Sequence, residues 1–415
     1  MSHSTVRDKT KLLYLFLLGF AIVGNILISG GVRILDLVGL GGSVAFIGLL
    51  VSQGFTKQML WVLLIFSCFL LLALRGFLLS DTSMTIAAVR IMMSIMTATV
   101  TMGMFQVDQN LRGTALSLGG ALGGLFVAII ALGQLTGSPF FLGFAPSDTK
   151  VWWYEGSVRT VGIWSHPNGL AQTQAIGMAM ALNLIIIAQK DSYKIMSFVL
   201  LMVIVWITYA ATQTRAFLLC TMILSFITIN TVGTKRNRAY MQFGSMFLTV
   251  LIPFIARPVL GDRWFGETAG GMTIFDNLFE RLATWGGGFL LLLEKPIGYG
   301  FEGRLEAQLQ QTGILSASHN AYLSLALTFG LFSGVLILWV IARGFRNIFR
   351  SGIWPHFAFL PLLASTIMFF FEDSLFSLST QMNVAVMTMA TMAPIFVFRS
   401  RYISARVSEL TPTGS

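Results

Sequence analysis

Leu60-Trp61-Val62-Leu63-Leu64-Ile65-Phe66-Ser67-Cys68-Phe69-Leu70-Leu71-Leu72-Ala73-Leu74 is apolar almost without interruption. Its continuity excludes an outer-membrane barrel strand, in which apolar and polar residues alternate over about ten positions. A helix over 58–79 reaches the roughly 20 residues that cross a bilayer. Similar stretches recur along the whole chain, which is 55% hydrophobic and only 11% charged, with a mean hydropathy of +0.78. Composition and run length together predict an all-α polytopic membrane protein.

The apolar runs predict about twelve transmembrane helices, over 12–30, 36–53, 58–79, 84–105, 114–135, 166–188, 195–211, 215–232, 240–256, 318–342, 354–371 and 376–397. Residues 1–415 then form one integral membrane domain. The densest basic clusters, Lys235-Arg236-Asn237-Arg238 and Arg343 to Arg350, fall on short loops of one side. By the positive-inside rule that side is cytoplasmic, with both termini and an uncleaved first span. Acidic residues such as Asp81, Glu155, Glu267 and Asp276 gather on the other side. The net charge of +10 thus marks the inner face and attraction to anionic membrane lipid, and nucleic acid is not expected as a partner. Cys68 and Cys220 lie inside spans and read as packing residues.

Short inside loops without a phosphate-cradling glycine loop leave no room for a soluble catalytic domain. Chemistry is therefore expected in the membrane or outside it, where segments 136–165 and 257–317 are large. Within the latter, between spans nine and ten, Phe275, Leu278, Phe279, Leu282 and Trp285 recur at helical spacing opposite Asp276, Asn277, Glu280, Arg281 and Thr284. That pattern predicts an amphipathic helix on the outer leaflet, a lid over a lipid-accessible cavity. Gly286 to Leu293 would dip toward the headgroups, and Pro296-Ile297-Gly298-Tyr299-Gly300 would turn the chain.

Four arginines run against the charge bias: Arg215 at the outer end of the eighth span, Arg159 before the sixth, Arg281 on the loop helix and Arg90 inside the fourth span. A guanidinium stays charged and donates two parallel hydrogen bonds, which suits phosphate. The alternatives are snorkelling to headgroups for Arg215 and Arg159, and for Arg90 an ion pair with an outside-end carboxylate. His319 stands at the mouth of the tenth span in Ser318-His319-Asn320-Ala321-Tyr322. It is either a proton acceptor or an interfacial histidine bonded to loop backbone. His166 is its rival, or a cap of the sixth span; His3 and His356 take no part.

Three stretches, Arg159 to Ala171 with Ser165-His166-Pro167-Asn168-Gly169, Thr212-Gln213-Thr214-Arg215-Ala216, and Arg281 through Pro296-Ile297-Gly298-Tyr299-Gly300 to His319-Asn320-Ala321-Tyr322 and Gly330 to Gly334, resemble the bacterial O-antigen ligase and polysaccharide polymerase superfamily. The resemblance spans roughly residues 155 to 340; the first five spans share only their apolar character. It implies a GT-C-like, metal-independent, inverting glycosyltransferase without cofactors, in the bacterial inner membrane, its active site facing the periplasm and 257–317 its large periplasmic loop. The donor is an undecaprenyl-pyrophosphate-linked glycan. The acceptor is lipid A-core for a ligase, toward which the reading leans, or a lipid-linked glycan for a polymerase. His319 and Arg215 would be catalytic, with Arg215, Arg281, Arg159 and Arg90 on the pyrophosphate and His166, Asn168, Asn320 and Tyr322 near the acceptor. Some members carry a second histidine just before the position of His319; Ala317 and Ser318 stand here, which puts a two-histidine mechanism in doubt.

Metal dependence through Asp36 or Glu372-Asp373 is the lesser option, without a His/Cys ligand cluster in the sequence. A flippase or transporter is the other class. Carriers need carboxylates near the midplane and discontinuous helices, whereas the acidic residues here fall in loops or at span ends. The glycines of the second and fifth spans read as close helix packing. Trp152, Trp153, Tyr154 and Trp264 would stack on sugars or form an interfacial aromatic belt.

Overall fold

The computed structural model describes residues 3–24, 27–29, 32–53, 57–82, 84–86, 88–90, 92–93, 96–97, 109–136, 152–154, 157–160, 167–212, 214–232, 274–313, 320–350 and 358–371. The chain is helical, and three described helices are long and apolar enough to cross a membrane, within 111–135, 167–187 and 191–212. The expected spans at 240–256 and 376–397 lie outside the described residues.

The helices bounded among the described residues are α1 (His3–Val23), α2 (Ile34–Gln53), α3 (Lys57–Leu78), α4 (Gln109–Leu135), α5 (Pro167–Ile187), α6 (Asp191–Thr212), α7 (Arg215–Val232), α8 (Ile274–Glu294), α9 (Phe301–Thr312), α10 (Ala321–Phe329), α11 (Leu331–Arg350) and α12 (Phe359–Phe371). Two short antiparallel hairpins, β1 (Leu27–Ser29) with β2 (Val32–Arg33) and β3 (Trp152–Tyr154) with β4 (Ser157–Arg159), join helices. The first displaces the end of the opening span: its helix stops at Val23, and residues 27–29 are extended.

At the centre lies α5, buried at every position from Gly169 to Leu184 and packed between α4, α6, α7 and α12. The close approach of α1 to α4 depends on glycine. A Cβ at Gly19 would fall on the carbonyl oxygen of Leu116, and one at Gly119 on that of Phe16. Small residues let two backbones touch where lipid supplies no hydrophobic drive between helices. The polar side chains of α5 are absorbed internally; Gln174 Nε2 donates to the Gly124 carbonyl at 2.9 Å.

The expected span 318–342 is corrected. It is two helices, α10 and α11, that reverse at Gly330, where φ is +101°. A Cβ on Gly334 would lie 2.9 Å from the Cβ of Ala326 and 3.6 Å from the Tyr322 carbonyl oxygen. In one continuous helix residues 322 and 334 would be about 18 Å apart, so α10 folds back along α11. Ser333 Oγ, donating to Gly330 O at 2.7 Å, ties the bend.

The segment expected to form the large outside loop is also more regular than expected. Gly286 to Leu293 continues the helix, so that α8 runs unbroken to Glu294. Its exposed stripe comprises Phe279, Leu282, Phe289, Leu290 and Leu293, an apolar face suited to lipid. Trp285, expected on that face, instead packs inward beside Leu291, Leu292 and Leu323. The side chains of Phe275 and Leu278 are outside the described residues.

Candidate functional site

Three of the stretches that sequence singled out meet at one end of the bundle. Pro167 opens α5 at the first helical position, where its missing N–H is not needed. Thr214 Oγ1, in the break between α6 and α7, donates to Asn168 Oδ1 at 3.2 Å. Thr160 N–H donates to the Ala211 carbonyl at 2.9 Å, so the backbone just after Arg159 is fastened to the last turn of α6. Thr160 Oγ1 reaches Ala131 O on α4 at 3.4 Å. The segments around 159, 168 and 214 thus form one rim, although the side chains of Arg159 and His166 fall outside the described residues.

Arg215 begins α7 on this rim and is half-buried. Arg281 of α8 and the Tyr209 phenol both lie within electrostatic reach of this half-buried guanidinium. Two cations at that range raise each other's energy. Arg281 is held by another contact: its Nη1 donates to the backbone carbonyl of Phe371 on α12 at 2.9 Å. Thr284 Oγ1 adds a bond to the Arg281 carbonyl at 2.9 Å.

The start of α10 completes the group. Asn320 Oδ1 accepts from Leu323 N–H at 3.1 Å and caps the helix. Tyr322 lies edge-on to Phe369 and Phe370, with centroids 5.8 and 5.2 Å away, and its hydroxyl donates to Thr366 O at 3.4 Å. Residues 366–371 of α12 are therefore the shared support of Arg281 and Tyr322. His319 immediately precedes the cap and lies outside the described residues.

Arg90 is engaged elsewhere. Its Nε lies 3.3 Å from Asp36 Oδ1 and its Nη2 3.4 Å from Oδ2, with both side chains less than one-fifth exposed. This is the ion pair weighed as the alternative for Arg90, and it answers the charge of Arg90 within the protein.

Sequence reasoning passed over Arg75. In the last turn of α3, it donates to the carbonyls of Ile297 and Gly298 in the Pro296 to Gly300 turn, the second at 3.1 Å. A single cation in the last turn of a largely apolar helix was the available signal. Among the described residues no group of three His, Cys, Asp or Glu side chains is placed to hold a metal ion. No protein-family model matches the chain, and no curated protein matches it significantly.

Proposed function

We propose that the chain is a glycosyltransferase of the O-antigen ligase and polymerase type, transferring a glycan from undecaprenyl pyrophosphate to a sugar hydroxyl. In this reading it is a twelve-span protein of the bacterial inner membrane, with both termini cytoplasmic and the reaction at the periplasmic face. The observation that carries the proposal is the rim in which Thr214 binds Asn168 and Thr160 binds Ala211 beside Arg215, with Arg281, from a distant part of the chain, within electrostatic reach. Such a pair is unfavourable alone and favourable around a polyanion. The electrostatic cost of assembling it before the ligand arrives is the preorganisation that stabilises charge developing on a leaving group.

An acceptor hydroxyl attacks the anomeric carbon, the bond from that carbon to the pyrophosphate oxygen breaks, and the configuration inverts. The leaving pyrophosphate gains negative charge, held by Arg215 and Arg281. The hydroxyl proton passes to His319, whose place beside the positive end of α10 favours a neutral, accepting imidazole. Asn168, Asn320 and Tyr322 border the acceptor side. Arg159 would join the anion site from β4, and Arg90, paired with Asp36, is left out of it. Lipid A-core is the favoured acceptor, and a lipid-linked repeat unit is the alternative.

A carrier reading draws on the reversal at Gly330, because transporters build binding sites at interrupted helices. Against it, the backbone groups freed at this break are taken up by the 296–300 turn and are not left to coordinate an ion.

The test is transfer by purified protein without added metal, from an undecaprenyl-pyrophosphate-linked glycan to lipid A-core or to a second lipid-linked repeat. Loss of product in His319→Ala and in Arg215→Ala, with folding intact, is expected. Wild-type levels in both variants, or donor movement across a bilayer without transfer, would overturn the reading.

A further inference from the structure

The reversal at Gly330 is held by parts of the chain outside it. Tyr299 N–H donates to Leu327 O at 2.7 Å, Gly300 N–H to Thr328 O at 3.1 Å, and Leu331 N–H to Pro296 O at 2.8 Å. Carbonyls that the end of α10 leaves without helical partners are thereby satisfied. The fit is close: a Cβ on Gly298 would lie 2.6 Å from Gly330 N, and one on Gly330 would lie 2.9 Å from Ile297 O. Both glycines have positive φ, +81° and +101°.

This node is fastened to α3 by opposite charges, each suited to what it meets. The guanidinium of Arg75 donates to the carbonyls of Ile297 and Gly298. Asp81, just beyond α3, accepts Met84 N–H on Oδ1 at 2.9 Å. Its Oδ2 lies 3.0 Å from where a Cβ on Gly300 would stand, beside the opening of α9. A cation therefore sits on free carbonyls and an anion at the positive end of a helix.

Two elements run from the node to the arginine pair. α8 leads back from Glu294 to Arg281, about 20 Å at the helical rise, lying on α10 where Gly288 approaches Leu323. α10 leads back from Phe329 to Asn320, about 14 Å. Displacing the node tilts both and draws Arg281 from Arg215.

We propose that Arg75 is a positioning residue that, through the Gly298–Gly330 node, holds α8 and α10 so that Arg281 faces Arg215. The functional part rests on reading that pair as the pyrophosphate site. The mechanical part does not.

The test compares wild type, Arg75→Ala, Arg75→Lys and Gly330→Ala as full-length protein in detergent. Hydrogen exchange is followed in peptides covering 274–300 and 320–331. Arg75→Ala and Gly330→Ala are expected to speed exchange there by about tenfold, with peptides of α5 and α6 unchanged and Arg75→Lys partly protected. Unchanged exchange in both regions for Arg75→Ala overturns the proposal. So does loss of protection in α5 and α6 for Arg75→Ala and Gly330→Ala alike, which is general unfolding.

A second arm measures binding of a short prenyl pyrophosphate. Arg75→Ala should weaken it about tenfold in wild type and have little further effect in an Arg281→Ala background, because both changes remove the same contact. Additive losses overturn the positioning role. If wild type binds no prenyl pyrophosphate, the glycosyltransferase reading falls, and the exchange arm still decides whether Arg75 fixes the node.

Discussion

Arg281 donates to the carbonyl oxygen of Phe371 at 2.9 Å, so the backbone of α12 decides where the second arginine of the pair can point. Arg281 therefore has two duties, a tie to α12 and a charge within reach of Arg215. Arg281→Lys keeps the charge and loses the fork. Hydrogen bonds to charged groups contribute about 1.5–3 kcal/mol, so prenyl pyrophosphate binding should fall by roughly 10- to 100-fold in Arg281→Ala. In Arg281→Lys only part should return. Full recovery would show that point charge suffices.

Arg215→Ala removes one charge of the pair. Pyrophosphate binding should be lost, with melting in detergent close to wild type. A drop of several degrees would instead make Arg215 a structural residue.

For Arg90 the expectation is reversed. Its removal leaves Asp36 without its ion-pair partner and should lower stability by about 1–2 kcal/mol. The double variant Arg90→Met with Asp36→Leu should recover most of that loss. Donor half-saturation should stay near wild type in the double variant; a large increase would return Arg90 to the anion site.

Asn320 can be tested for its cap. Asn320→Ser retains a capping oxygen and Asn320→Ala does not, so the alanine variant should lose about 1 kcal/mol and the serine variant much less. If transfer falls equally in both while stability separates them, Asn320 also contacts the acceptor.

Gly298→Ala combines a left-handed backbone with a Cβ that would press on Gly330 N, Thr328 O and Leu327 O. All three are backbone atoms with little room to give. A loss of at least about 2 kcal/mol is expected, read by thermal unfolding; a neutral result would mean that the turn can shift.

Helices bounded by polar residues were legible from apolar run length alone. α3, α5 and α7 begin and end within a residue or two of the runs at 58–79, 166–188 and 215–232. The reversal at Gly330 was not, because Leu325 to Trp339 is nearly continuous in apolar character and hydropathy carries no information about φ. Trp285 was assigned to the wrong face because helical spacing locates a stripe without saying whether lipid or protein covers it. The rim that joins Asn168 to Thr214 rests on a side-chain contact between residues 46 apart in sequence. The partner of Arg90 depended on a contact far along the chain, which no local pattern encodes. The same holds for Arg75, whose acceptors are backbone carbonyls.

The burial of α5 on every side bears on biogenesis. It is the least apolar of the three long membrane helices, and it carries Gln172, Thr173, Gln174 and Asn183 in its interior. Entering lipid alone, it would expose those amides at a cost of a few kcal/mol. With α4 already present, Gln174 can find the Gly124 carbonyl and the cost falls. The central helix is thus expected to leave the translocon late, retained until its neighbours are in place. Changing Gln174 to leucine should hasten its insertion while leaving the assembled bundle with a worse-fitting core.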